Sequence, residues 1–222
     1  MPEVQQNLVD DLASVATESW RSLRILGELT IAFDTLNALK RSCVSIFGSA
    51  RVQPESKAYQ DAVTIARLLG QQGYGIITGG GPGIMEAANK GACEASTDSV
   101  GLHIQLPFEQ SCNEYVRTRC NFRYFFLRKF MFIKYSMAYV VMPGGMGTID
   151  EFSEAFVLAQ TKRIKPFPII LYDSGYWKGL HKWISGAMVE NGYLKESEIE
   201  TFLTVCDSPE EVCATIRKRV IL

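Results

Sequence analysis

The chain has 222 residues, 47% of them hydrophobic, which is enough for one sizeable core and favours a single domain over two. A formal net charge of -1, from 23 Lys and Arg against 24 Asp and Glu, excludes the broad positive field that draws nucleic acid or an anionic membrane. Any anion must therefore be held by local groups.

The opening stretch MPEVQQNLVDDLASVATESW is acidic and polar, unlike a signal or transit peptide. No apolar run reaches the roughly 18 residues of a membrane span, so a cytoplasmic location is the expectation. Residues 22–39 repeat apolar positions at Leu26, Leu29, Phe33 and Leu36, the spacing of an amphipathic helix that covers a sheet or a neighbouring subunit. Residues 1–42 are read as a helical extension, and 1–222 as one domain. Short apolar runs then alternate with helical patterns. CVSIFGS is followed by a helix over about 57–72, GIIT by a helix over about 83–95, and VGLHIQL by a helix over about 124–135. AYVVMPG leads to a helix over about 148–163, PIILYD to one near 176–190, and FLTVC to a closing helix over 209–219. This rhythm predicts an α/β fold, a doubly wound and mainly parallel sheet with helices on both faces. Residues 106–123 break the rhythm and read as a long irregular connection of the kind that carries function.

Six cysteines, Cys43, Cys93, Cys112, Cys120, Cys206 and Cys213, form no C-x-x-C pair, and only His103 and His181 accompany them. They read as reduced packing thiols, with no metal site expected.

Ligands of an open parallel sheet sit beyond the carboxyl ends of its strands, and the glycines are placed there. FGSAR, with Gly48 and Ser49, follows the first strand. TGGGPG, with Gly80, Gly81 and Gly83, follows the second, and PGGMGT follows the strand after the basic helix. One such cluster is as readily a tight turn. Two that each open a helix supply free N–H groups and a close main-chain approach, which suits a phosphate. No Gly-Lys pair occurs, so there is no Walker-type triphosphate loop, and GSAR is not the G-x-G-x-x-G of a dinucleotide site. A smaller phosphorylated ligand fits better. With a helix predicted from about Thr148, Asp150 and Glu151 fall in its first turn, where the helix dipole stabilises anions. The FFLRKFMF helix adds Arg128 and Lys129, which either snorkel from an apolar helix or form the positive wall of a pocket.

At this point the sequence resembles a known family. PGGMGTIDE (143–151) matches the P-G-G-x-G-T-x-x-E signature of the Lonely Guy proteins, cytokinin-activating phosphoribohydrolases formerly labelled lysine decarboxylases. RKFM (128–131) matches their R-K-x-x-M helix, and the resemblance runs from about Cys43 to the C-terminus. It implies cleavage of the N-glycosidic bond of a purine nucleoside 5′-monophosphate, AMP or a cytokinin riboside monophosphate, releasing base and ribose 5-phosphate. It also implies a homodimer or higher homo-oligomer, and no cofactor. By this resemblance Arg128 and Glu151 are the catalytic pair. Gly144, Gly145, Met146, Gly147 and Thr148 cradle the phosphate, and Lys129 assists. Asp150 stands where many relatives carry a second glutamate. Glu109 resembles the acid that relatives place before the basic helix, and Glu86, in the G-x-M-E run, is a further candidate.

Two other readings stand beside this one. A lysine decarboxylase needs pyridoxal phosphate on a Schiff-base lysine, and Lys90, Lys129 and Lys134 are present without a spacing that singles one out. A nucleotide carrier or sensor would keep the fold without turnover.

Overall fold

The computed structural model describes residues 2–105, 112–164 and 167–220, with residues 2–16 as backbone only. The chain runs α1 (Pro2–Asn37), β1 (Cys43–Phe47), α2 (Lys57–Gln71), β2 (Gly75–Thr78), α3 (Ile84–Glu94), β3 (Ser99–Ile104) and β4 (Thr118–Phe122). It continues α4 (Phe125–Tyr135), β5 (Ser136–Val141), α5 (Met146–Gln160), β6 (Ile169–Tyr172), α6 (Ser174–Trp183), α7 (Glu196–Phe202), β7 (Leu203–Cys206) and α8 (Pro209–Arg219). A π-helical stretch, Ile184–Val189, prolongs α6.

The strands form one seven-stranded sheet in the order β4-β3-β2-β1-β5-β6-β7. Every neighbouring pair is parallel. From central β1 the chain builds outward to β4, then crosses to the other side of β1 for β5, β6 and β7. The strand order therefore reverses between β1 and β5, whose register pairs Phe47 with Val141 at the carboxyl end.

Strands β1, β2, β3 and β6 bury every residue, which is why they read as continuous apolar runs and not as alternation. On one face, Val44, Ile46, Ile76 and Val140 pack under α2, α3 and α8 through Ile65, Leu69, Ala88 and Ile216. On the other, Phe47, Ile77, Tyr139 and Val141 pack under α1, α4, α5 and α6 through Leu36, Phe132, Phe152 and Trp177. Local signals set several helix ends. Ser208 caps α8 by accepting from Glu211 N, Pro209 opens the helix, and Arg217, Lys218 and Arg219 close it, as the dipole favours.

Two expectations are corrected, and one helix is added. The connection over 106–123 is not irregular throughout, because residues 118–122 form β4, an edge strand that buries Cys120 and Phe122 and exposes Arg119 and Asn121. The stripe of α1 that meets the protein is Ile25, Leu29, Phe33 and Leu36, whereas Leu26 faces outward at 58% exposure. Glu28, on the inner side, accepts a hydrogen bond from Arg123 N at 3.1 Å. The short helix α7, seven residues long, has no apolar periodicity of its own to mark it in the sequence. All six cysteines are free, and burial pushes the Cys120 and Cys213 thiols up to about 11, so they stay protonated at neutral pH. Among the described residues no helix is long and apolar enough to cross a membrane, and no group of His, Cys, Asp and Glu is arranged to hold a metal ion.

Candidate active site at the sheet switch point

Where the strand order reverses, the turns after β1, β2 and β5 meet. Ser49 joins them through its main chain: its N–H donates to Pro143 O at 3.0 Å, and its carbonyl accepts from Ile84 N at 3.0 Å. The approach is close enough to demand glycine at two places. Gly83 has φ +68°, and a Cβ there would strike the Ser49 carbonyl and Ala50. A Cβ on Gly144 would strike the Thr148 hydroxyl and come within 3.0 Å of Ser49 N. Gly48 sits against the side chain of Ile84. Gly48 and Ser49 thus belong to the frame of the site.

The second glycine turn is fastened from behind. Gly80 N donates to Thr78 Oγ1 (2.9 Å), Thr78 Oγ1 donates to Asn89 Oδ1 (2.6 Å), and Asn89 Nδ2 donates to Ser99 Oγ (2.9 Å). Asn113 completes the network by donating from its backbone N to Gly80 O (2.8 Å) and from Nδ2 to Gly81 O (2.9 Å). Thr78, Asn89 and Ser99 are fully buried, so each needs these partners. None of these network side chains was legible in the sequence, because they are single polar residues far apart in the chain. Glu86, in the first turn of α3, accepts from Tyr59 Oη at 2.8 Å.

The third turn launches α5, which starts at Met146 with Gly145 as its cap. Both Thr148 N and Ile149 N donate to Gly145 O, so the N–H groups of Met146 and Gly147 precede the first helical bond. Gly145, Met146 and Gly147 are exposed, and Met146 at 78% turns its side chain to solvent. What it can offer a ligand is its N–H. Thr148 is buried against Gly144. This early start corrects the expectation for the acids. Asp150 and Glu151 are the fifth and sixth residues of α5, beyond its first turn, and the dipole does not account for them.

What accounts for them is α4. Lys129 Nζ pairs with Asp150 and Glu154 at 2.8 Å each and lies 3.9 Å from Glu151, a charge contact too long for a hydrogen bond. Its charge is thus engaged by carboxylates, and no hydrogen bond joins it to the glycine turn among the described residues. Burial acts to lower the Lys129 pKa, but the hydrogen bonds to Asp150 and Glu154 outweigh it and the ammonium is held above its ordinary value. Arg128, one position earlier, points the other way. Its guanidinium lies against Gly79, where a Cβ would collide with it, and stands 5.3 Å from the Phe132 ring centre. Burial draws Arg128 below its ordinary value against the opposing pull of Glu151. Its Nε is buried without a hydrogen-bond partner among the described residues. Arg128 therefore does not snorkel to solvent, since its guanidinium is buried.

Glu151 is 8% exposed. Burial pushes its pKa up to about 7, with Lys129 and Arg128 opposing and Glu154 and Asp150 adding to the rise. A carboxyl poised near neutrality beside a guanidinium and a helix start can take or release a proton, or stabilise positive charge. The structure therefore brings together Arg128, Glu151, Gly144, Gly145, Met146, Gly147 and Thr148, with Gly80, Gly81 and Gly83 across the switch point. Lys129 and Asp150 form the supporting ion cluster. Glu109 lies outside the described residues. A cavity of about 530 Å³ lies between α1 and α4, lined by Trp20, Arg24 and Phe126 among others, and one of about 300 Å³ lies beside Pro143, Tyr172 and Asp207. Neither is lined by Arg128 or Glu151.

A parallel sheet with glycine turns and a buried acid at its switch point defines a doubly wound α/β protein with free helix N–H groups at that edge. More narrowly, the family profile described as possible lysine decarboxylase matches residues 85–216, and the chain belongs to this family, that of the Lonely Guy proteins. A probable cytokinin riboside 5′-monophosphate phosphoribohydrolase of Oryza sativa subsp. japonica is 30% identical over 162 residues, covering 71% of this chain and 74% of that one. A cytokinin riboside 5′-monophosphate phosphoribohydrolase of Arabidopsis thaliana is 28% identical over 181 residues, covering 78% and 80%. Among solved structures, a structural-genomics X-ray structure matches with TM-score 0.62 at 24% identity, covering 80% of this chain and 99% of that one. The molybdenum cofactor carrier protein of Chlamydomonas reinhardtii matches with TM-score 0.60 at 18% identity, covering 81% and 98%. At these identities the structural likeness speaks for the fold alone.

Proposed function

We propose that the protein hydrolyses the N-glycosidic bond of a purine nucleoside 5′-monophosphate, AMP or a cytokinin riboside 5′-monophosphate, to free base and ribose 5-phosphate. The observation that carries this reading is a buried carboxyl with its pKa near 7, Glu151, on the helix launched by the PGGMG turn and acted on by the charges of Lys129 and Arg128. The phosphate would be held by the first N–H groups of α5, whose partial positive charge suits one compact anion. As the C1′–N bond breaks, its electron pair leaves with the base and positive charge develops on the ribose, which ionised Glu151 stabilises. A water oxygen then bonds to C1′ as its proton passes to Glu151, and the departing base takes up one proton from solvent while Glu151 returns one to solvent, restoring the carboxylate. Arg128 remains charged throughout and serves as a hydrogen-bond donor and clamp, not as the acid. The phosphoribohydrolase names of relatives at 28–30% identity support the same reading.

Of the candidate lysines Lys90, Lys129 and Lys134, two have settings that disfavour the decarboxylase reading. A Schiff-base lysine must present a neutral amine. Lys129 is paired with carboxylates that favour its charged form, and Lys134 stands over the ring of Phe33, on α1.

The test compares base release from adenosine, AMP and ATP. Each charge-assisted phosphate contact contributes about 1.5–3 kcal/mol. Losing two should make adenosine poorer than AMP by roughly two to four powers of ten in kcat/KM. Adenosine cleaved as fast as AMP overturns the phosphate assignment. Saturable AMP binding with no base released would replace the hydrolase with a carrier.

A further inference from the structure

The turn that begins α5, joined to Ser49 on one side, also receives a side chain from α6. Tyr176 Oη donates a hydrogen bond to Gly144 O at 2.5 Å, from 32 residues away. Tyr176 is the third residue of α6, and this helix start is itself held. Asp173 accepts from Tyr176 N at 3.1 Å, and Asp207 accepts from Ser174 N at 2.7 Å. The Tyr176 ring also meets the ring of buried Trp177 nearly edge-on, with centres 4.9 Å apart.

We infer that Tyr176 is a positioning residue for the anion site, fixing the Gly144–Gly145 peptide so that the Gly145 N–H points away from α6 and joins the N–H groups of Met146 and Gly147. In a trans peptide the C=O and N–H point in opposite directions, and no peptide in the described residues is cis. Anchoring the carbonyl on one side therefore fixes the N–H on the other. The constraint matters because both flanking residues are glycines, whose backbone rotates with little steric cost. Gly145 is exposed, a Cβ on it would meet nothing within 4 Å, and its N–H has no acceptor among the described residues. Without the phenol, two orientations of this peptide compete, and only one presents three successive N–H groups to an anion. Gly144 is a poor candidate to hold the orientation alone, since its contact with Thr148 restricts its Cα and not its carbonyl.

The inference deepens the phosphate assignment proposed above and rests on it. Its test is Tyr176→Phe, which removes one oxygen and keeps the ring against Trp177. Three readouts apply: KM and kcat for AMP, affinity for ribose 5-phosphate, and the amide proton and nitrogen shifts of Gly145. A neutral hydrogen bond of about 0.5–1.5 kcal/mol corresponds to roughly a two- to tenfold effect. KM for AMP should rise by this factor with a smaller change in kcat, ribose 5-phosphate should bind more weakly by the same factor, and the Gly145 amide should move or broaden. A Gly145 amide and ribose 5-phosphate affinity both unchanged in the folded variant overturn the inference. An equal fall in kcat for AMP with KM unchanged would assign the residue to the chemical step and also overturn it. If the wild-type protein binds ribose 5-phosphate but releases no base, the hydrolase reading fails while the binding and amide measurements still decide the role of Tyr176. If the wild-type protein binds no phosphate ester, both readings fall.

Discussion

Replacing Glu151 with glutamine should abolish turnover and at the same time make the protein more stable above neutral pH. Glutamine has the shape of the protonated acid and none of its charge. Burial raises the folded pKa of Glu151 from 4.5 to about 7, so between these values the folded chain binds more protons than the unfolded one. The sign follows from linkage: stability falls as pH rises through this window and levels off above about pH 7. At about 1.4 kcal/mol for each pH unit, ionising Glu151 in the fold costs roughly 3 kcal/mol. Glu151→Gln avoids that cost. Its advantage over the natural protein should be near zero at pH 4.5 and grow to about 3 kcal/mol by pH 8, equivalent to roughly 6–12 °C in Tm for a chain of this size. Urea unfolding of both proteins at pH 4.5, 6 and 8, at one fixed protein concentration, measures the difference. Base release from AMP should fall by about 10²- to 10⁴-fold in the same variant. A stability difference that does not change with pH, or a glutamine variant weaker than the natural protein at pH 8, would refute the account of Glu151 as an acid strained by burial.

Lys129 lowers the Glu151 pKa, so Lys129→Met should shift the acid limb of the kcat/KM profile for AMP upward from about pH 7. A limb that stays in place would show that another group controls it. We also propose that the chain self-associates through α1 and α4, because Trp20, Leu23, Ile31, Phe125, Phe126 and Phe130 are each at least 47% exposed on those two helices. Sedimentation at micromolar concentration should show a dimer or a multiple of it, and a monomer would remove that surface from the argument.

The parts of the fold legible in the sequence are those whose local pattern and tertiary role coincide. IILY and GIIT are buried on both faces and read as strands at once. TRCNF is an edge strand that buries Cys120 and Phe122 and exposes the polar Arg119 and Asn121, a pattern that does not stand out from the connection around it. Glycines at 145 and 147 do not look helical, so the sequence pattern sets the start of α5 two residues late, although their lack of a side chain is what leaves the helix start accessible. That error moved the acids into the first turn and gave them the wrong physical cause. The glycine clusters themselves were visible as punctuation at strand ends. The Thr78–Asn89–Asn113 network and the Tyr176 contact were not, since each depends on which strands become neighbours, and spacing along the chain does not encode that.

Ser49 contributes to the site through its amide atoms, so the frame it builds is largely independent of the side chain at position 49. Proline is the residue that position cannot take, because it has no N–H to give to Pro143. The helices α3 and α5 cover opposite faces of the sheet, yet the turns that launch them hang on the two ends of one residue's backbone. If α5 holds an anion as proposed, a displacement of its start would be passed to the start of α3 through this single residue, so the two faces of the sheet share one mechanical joint.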